Sequence, residues 1–127
     1  VYNYDSIFVR LYVAYKRRML SHIDAEVPLA EAFKRSTDGP DCPISRYYAS
    51  DDFVTLCSAR GFKAKFLGSA VSLLEMSLLP LRFDAMQDIR LEREHRSFLA
   101  ELTFDQFARP LYRGQVAGID AVYELRK

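Results

Sequence analysis

The chain has 127 residues, half of them hydrophobic, with 18 Lys or Arg against 17 Asp or Glu and a formal charge of +1. That is enough for one domain, burying roughly two-thirds of its unfolded surface, and the near-neutral balance excludes a dedicated nucleic-acid binder, which needs a basic face. No run approaches the ~20 apolar residues of a membrane span, and Cys42 and Cys57 are too few for a disulfide framework, so a reduced, cytoplasmic setting is expected.

Val1–Tyr4 reads as the end of a strand. Asp5 or Ser6 then caps a helix running to about Ser21, with Phe8, Leu11, Tyr12, Tyr15 and Met19 at helical spacing. Lys16, Arg17 and Arg18 lie near its C-terminus, where cations suit the dipole. The three could contact a phosphate or an anionic membrane surface, or form a solvated face. His22 falls at the helix end. Pro28 fits the first position of a second helix, Leu29 to about Arg35. Ser36–Ser45 is a turn-rich loop, with Gly39, two prolines and two aspartates.

The segment Arg46–Leu67 is the most structured in its signals. Ser50 is placed to cap a helix, Asp51 and Asp52 face the positive end of its dipole, and Phe53, Leu56, Cys57 and Arg60 share a face beside Val54. Gly61 stands where a left-handed C-cap belongs. Phe62, Ala64 and Phe66 then alternate with Lys63 and Lys65, the period of a half-exposed strand. Val71–Leu79 predicts a buried helix ending near Pro80, with a lipid-acceptor groove or a dimer face as alternatives. A short helix to about Met86 follows. Another spans about Glu92 to Leu102, with His95, Phe98, Leu99 and Leu102 inward and Glu92 spaced to pair with Arg96. Phe104, Phe107 and Leu111 lead to a closing strand, Ile119–Leu125, expected to pair antiparallel with Phe62–Leu67.

The capped helix, Gly-Phe step and strand of residues 46–67 resemble the late helix–strand segment of class I S-adenosylmethionine-dependent methyltransferases. Residues 118–127 resemble the terminal antiparallel strand of that family, and Val1-Tyr2-Asn3-Tyr4 the tail of its fifth strand. Ala49-Ser50 departs from the Thr-Pro often found there, so the helix must be capped differently. The resemblance implies the C-terminal portion of a methyltransferase, with helical insertions at about 5–45 and 70–115 that shape an acceptor pocket. Because the chain begins within a strand-like run and not with Met, it is expected to be cut from a longer protein and to lack a signal peptide. No G-x-G-x-x-G turn is present, so S-adenosylmethionine is expected for the full-length parent only, with no cofactor-binding residue in this chain and no activity of this chain alone.

Tyr2 and Asn3, by the resemblance, stand at the edge of the methyl-transfer cleft, where open α/β folds place ligands. Asp38, Ser45, Arg46 and Tyr47 can orient a polar acceptor from a loop on a rigid scaffold. The alternative is a structural turn in which Arg46 pairs with Asp38 or Asp41. His95 is the candidate base, with a packed helix-face histidine as the alternative. No zinc-ligand spacing joins the histidines and cysteines. Cys57 reads as a small buried hydrophobe.

The expected architecture is a single α+β domain, residues 1–127, a fragment of an α/β fold. It has a small sheet of two or three strands, the last two antiparallel, with several helices packed on it. The expected role is the acceptor-side segment of a methyltransferase, which positions an acceptor for in-line transfer. The alternative is a non-catalytic helical module for dimerisation or partner binding. Self-association is expected through an exposed strand edge or an apolar helix face.

Overall fold

The computed structural model describes residues 1–127 and has the expected α+β architecture, with two sheets. Strand β1 (Tyr2–Asn3) leads into helix α1 (Phe8–Leu20), then α2 (Leu29–Thr37), β2 (Tyr47–Tyr48), α3 (Ser50–Ala59) and β3 (Lys63–Ala70). Helices α4 (Leu73–Leu78), α5 (Arg82–Gln87) and α6 (Arg93–Glu101) follow, with a 3₁₀ turn at Leu79–Leu81. Strands β4 (Thr103–Phe104), β5 (Pro110–Tyr112), β6 (Gln115–Val116) and β7 (Asp120–Arg126) close the chain.

The main sheet has the order β2-β1-β7-β3. β3 and β7 pair antiparallel from Lys63 opposite Arg126 to Ala70 opposite Asp120, with a bulge between Phe66 and Gly68. β1 pairs antiparallel with β7 through Tyr2 and Asp120, and parallel with β2 through Tyr2–Tyr47 and Asn3–Tyr48. The segment Val1–Tyr4 is therefore not a free edge: β2 covers it on the side away from β7. A second sheet, β4-β5-β6, occupies the stretch before β7, where no strand was expected.

Helix α1 is wound wide, with π-type bonding such as Ser21 N–H to the carbonyl of Lys16. Long runs of this kind are rare. Ser6 supplies its cap, accepting from Val9 N–H. The buried apolar set is Val9, Leu11, Val13, Ala14 and Tyr15, with Arg10 buried among them, while Phe8, Tyr12 and Met19 of the predicted stripe are only half-buried. The reason is that α1 lies between two apolar clusters. Leu11, Ala14 and Tyr15 pack with Leu78, Leu91, Phe98 and Leu99 of the α4–α6 layer. Val9 and Val13 pack with Ala32, Phe33 and Ile119. Full burial of a side chain such as Phe33 or Phe98 is worth about 1.5–3 kcal/mol, and both are fully enclosed.

Helix α3 ends as the sequence predicts. Gly61 adopts a left-handed conformation, its N–H bonds the Ser58 carbonyl, and Phe62 N–H bonds the Cys57 carbonyl, a complete Schellman motif. Its start differs: Ala49 is the N-cap, no side chain caps it, and Ser50 is already helical. Pro28 likewise sits at the cap of α2, one position earlier than expected.

Two further expectations are overturned. The Val71–Leu79 run is not a buried helix: Leu73 and Leu74 are exposed, and the enclosed side chains of α4 are Glu75 and Leu78. Glu75 is held inside because its carboxylate has four donors. Oε1 accepts from Ser72 N–H, Ser72 Oγ–H and Ile119 N–H, and Oε2 from Phe8 N–H at 3.0 Å. Burial raises its pKa and these hydrogen bonds oppose the shift. Glu92 does not pair with Arg96. It faces Arg18 of α1 at 3.4 Å, and Arg96 instead donates to the Leu91 carbonyl.

Candidate functional site

Neighbouring strands β1 and β2 run parallel, and the helices that follow them lie on opposite faces of the sheet. Tyr2 and Tyr47 point to one face, where both meet Phe33 of α2 edge-on at 5.2 Å, with Phe8 of α1 beside it. Tyr48 points to the other face and meets Phe53 of α3, which packs on Tyr123 of β7. Such a divergence at the carboxyl ends of adjacent strands opens a crevice, the usual ligand position of open α/β sheets.

A cavity of about 330 Å³ lies there, within the range of small-molecule sites. Asn3 at the end of β1 and Asp5 beyond it line it, and Ala49, Ser50 and Asp51 follow β2. Phe66 of β3 and the β5–β6 hairpin, from Tyr112 to Val116, close the remaining sides.

Asn3 builds the floor. It is 4 % exposed, and its carboxamide is fully engaged. Oδ1 accepts from Asp5 N–H at 3.1 Å, and Nδ2 donates to the carbonyls of Asp5 and Gly118. This ties the end of β1 to the start of β7 and fixes Asp5 at the cavity wall. Arg10 donates to Asp5 Oδ1 at 2.9 Å, so half of that carboxylate is already paired. Next to the cavity, the Tyr123 hydroxyl is buried without a partner between Phe53 and Phe66. Burial pushes its pKa up, with Cys57, Asp5 and Asp51 adding to the shift.

Of the residues singled out from sequence, only Asn3 lines this cavity. Tyr2, Asp38 and Tyr47 gather on the opposite face, where Tyr2 Oη donates to Asp38 Oδ1 at 3.5 Å. Ser45 is buried and bonded to Thr37 Oγ1 at 3.0 Å, which ties the loop to the end of α2. Arg46 is exposed, and its side chain forms no hydrogen bond or ion pair with Asp38 or Asp41.

His95 belongs to a second polar cluster, beneath Tyr4. It is 1 % exposed, and Arg10 Nη1 lies 3.2 Å from its Nδ1, which fixes the neutral ring with its proton on Nε2. Burial, then the Arg10 charge, pulls its pKa down, against Glu94 and Glu92. The Arg10 guanidinium lies over the Tyr4 ring at 3.8 Å and the Phe98 ring at 4.8 Å. Tyr4 donates to Glu94 at 3.2 Å, and its own pKa is pushed up to about 12, chiefly by burial, with Glu94 adding to the shift and the Arg10 charge opposing it. His95 thus sits sealed inside a packing cluster, the alternative weighed from sequence, and outside the cavity lining.

Sequence reasoning missed Asp5, Asp51, Phe66, Tyr112, Arg113 and Gln115 as site residues. One signal was available for the hairpin: Arg113-Gly114 between apolar-containing runs is a two-residue turn, and both residues have positive φ.

None of the five glycines lies in a strand-to-helix turn. The β1–α1 turn is closed by the Asn3 and Ser6 side chains. No three His, Cys, Asp or Glu side chains converge to hold a metal ion, and no helix is long and apolar enough to cross a membrane. Comparison with family models, curated proteins and solved structures finds no match to this chain.

Proposed function

We propose that this chain is the acceptor-side, C-terminal portion of a class I S-adenosylmethionine-dependent methyltransferase, and that the crevice beyond β1 and β2 receives the acceptor. The observation that carries this reading is the crevice itself: adjacent parallel strands, helices departing to opposite faces, and a cavity at their carboxyl ends. The position of β7 supports it. The terminal strand lies between β1 and β3 and runs antiparallel to both, as expected if β1 is the fifth strand of that fold, while β2 is an addition on the other edge of β1. The cofactor cradle would belong to a preceding part of the longer protein.

Two measurements test this. Calorimetry of the 127-residue chain should show no saturable heat with S-adenosylmethionine below millimolar concentration, and micromolar binding would contradict the proposal. The longer gene product should transfer a labelled methyl group from S-adenosylmethionine to components of a metabolite extract. A gene product without a glycine-rich strand–turn–helix and without transfer would end this reading.

The second reading is a helical module for self-association or partner binding. Exposed Leu73 and Leu74 on α4 and exposed Phe83 on α5 favour it, since contiguous apolar surface, where present, drives association. Light scattering over a wide concentration range tests the self-association form of this reading, which a persistent monomer would exclude.

A further inference from the structure

The cavity has apolar walls and a rim bearing both signs of charge. Phe66 and Tyr112 are half-buried walls. Asp51, in the first turn of α3, and Arg113, in the β5–β6 turn, are exposed rim residues from different elements. Neither is engaged in any of the ion pairs that occupy the other charged clusters, such as Arg10–Asp5, Arg90–Asp88 and Arg109–Asp105. The Arg113 guanidinium rests on the Tyr112 ring at 4.9 Å, so its charge is held beside an aromatic wall. Asp5 adds one carboxylate oxygen not taken by Arg10.

We infer that the crevice takes a zwitterionic, amino-acid-like ligand with an apolar or aromatic side chain. Its ammonium pairs with Asp51 and the free oxygen of Asp5. Its carboxylate pairs with Arg113, whose planar fork suits two parallel hydrogen bonds. Its side chain enters between Phe66 and Tyr112. A purely cationic ligand leaves Arg113 unanswered and adjacent to like charge. A purely anionic one meets Asp5 and Asp51.

The inference rests on the crevice being the acceptor site, and its test needs no cofactor. The 127-residue chain is titrated, with amide NMR as the readout, against L-phenylalanine, phenethylamine and 3-phenylpropionate. L-Phenylalanine is expected to bind saturably, about tenfold more tightly than either partial analogue, as one lost charge-assisted hydrogen bond implies. Asp51→Asn should abolish its advantage over 3-phenylpropionate, and Arg113→Gln its advantage over phenethylamine, each with an otherwise unchanged spectrum. Equal affinities for the three probes, or no saturable binding, overturns the inference. Binding of L-phenylalanine alongside methyl transfer only to chemically unrelated acceptors would overturn the acceptor reading and leave the ligand class standing.

Discussion

Arg10 donates from Nη1 to Nδ1 of His95 at 3.2 Å, with both side chains nearly sealed from solvent. The pair joins α1 to α6, and it requires a neutral imidazole because the facing nitrogen must accept. Arg10 and Arg18 of α1 disfavour the imidazolium, while Glu92 and Glu94 at the start of α6 favour it, and burial decides for the neutral form. The folded pKa thus lies below the usual value of 6.5. The unfolded chain takes up this proton first as pH falls, so stability is full above that value and declines below it. The urea midpoint should drop as pH falls below about 6.5. His95→Asn, which keeps an acceptor near Nδ1, should flatten that slope. The only other histidine, His22, is exposed. An unchanged slope in the variant would refute this role.

Glu75 is the polar pin between α4, α1 and β7. Replacing it with Gln puts an amide nitrogen where one of two oxygens accepts from Phe8 N–H or from Ser72 and Ile119. One donor then faces a donor, and a buried unsatisfied group costs about 1–3 kcal/mol. Denaturant titration of Glu75→Gln should show a loss of that size, and a wild-type midpoint would remove Glu75 from this part.

Gly118 leaves no room for a side chain, since a Cβ there would overlap the backbone of Ala70 and Val71. The contact lets Asn3 reach the Gly118 carbonyl and lets Ser69 Oγ accept from Gly118 N–H. Gly118→Ala should therefore cost about 3 kcal/mol or more. Soluble, fully folded variant with an unshifted thermal midpoint would contradict the close approach.

Tyr123 carries a buried hydroxyl with no partner. Tyr123→Phe keeps the ring contacts with Phe53 and Phe66 and removes the unsatisfied group, so stability should rise by about 1 kcal/mol. A loss of stability would show that the hydroxyl has a bonding partner in solution.

Periodic and backbone-coded features were legible in the sequence. Gly61 marked the end of α3, the Phe62–Leu67 alternation marked β3, and the inward face of α6 followed from spacing alone. Val71–Leu79 misled because its apolar residues promised burial. The Ser72–Glu75 spacing is a capping box, and the enclosed group is the carboxylate, fixed by donors from Phe8 and Ile119 that no local pattern reveals. The candidate site was legible only at Asn3. Asp5, Asp51, Phe66 and Tyr112 converge through the pairing of β1 with β2 and β7, which short two-residue strands do not announce. Strand alternation also separates Tyr2 and Tyr47 from Asn3, placing them across the sheet from the cavity.

The most direct test of the crevice as the ligand site is a small-molecule fragment screen of the 127-residue chain, read by amide NMR. Shifts from saturable binders should cluster at Asn3, Asp5, Ser50, Asp51, Tyr112 and Gln115. Binders that cluster instead on Tyr2, Asp38 and Tyr47, or shifts scattered without saturation, would contradict the account.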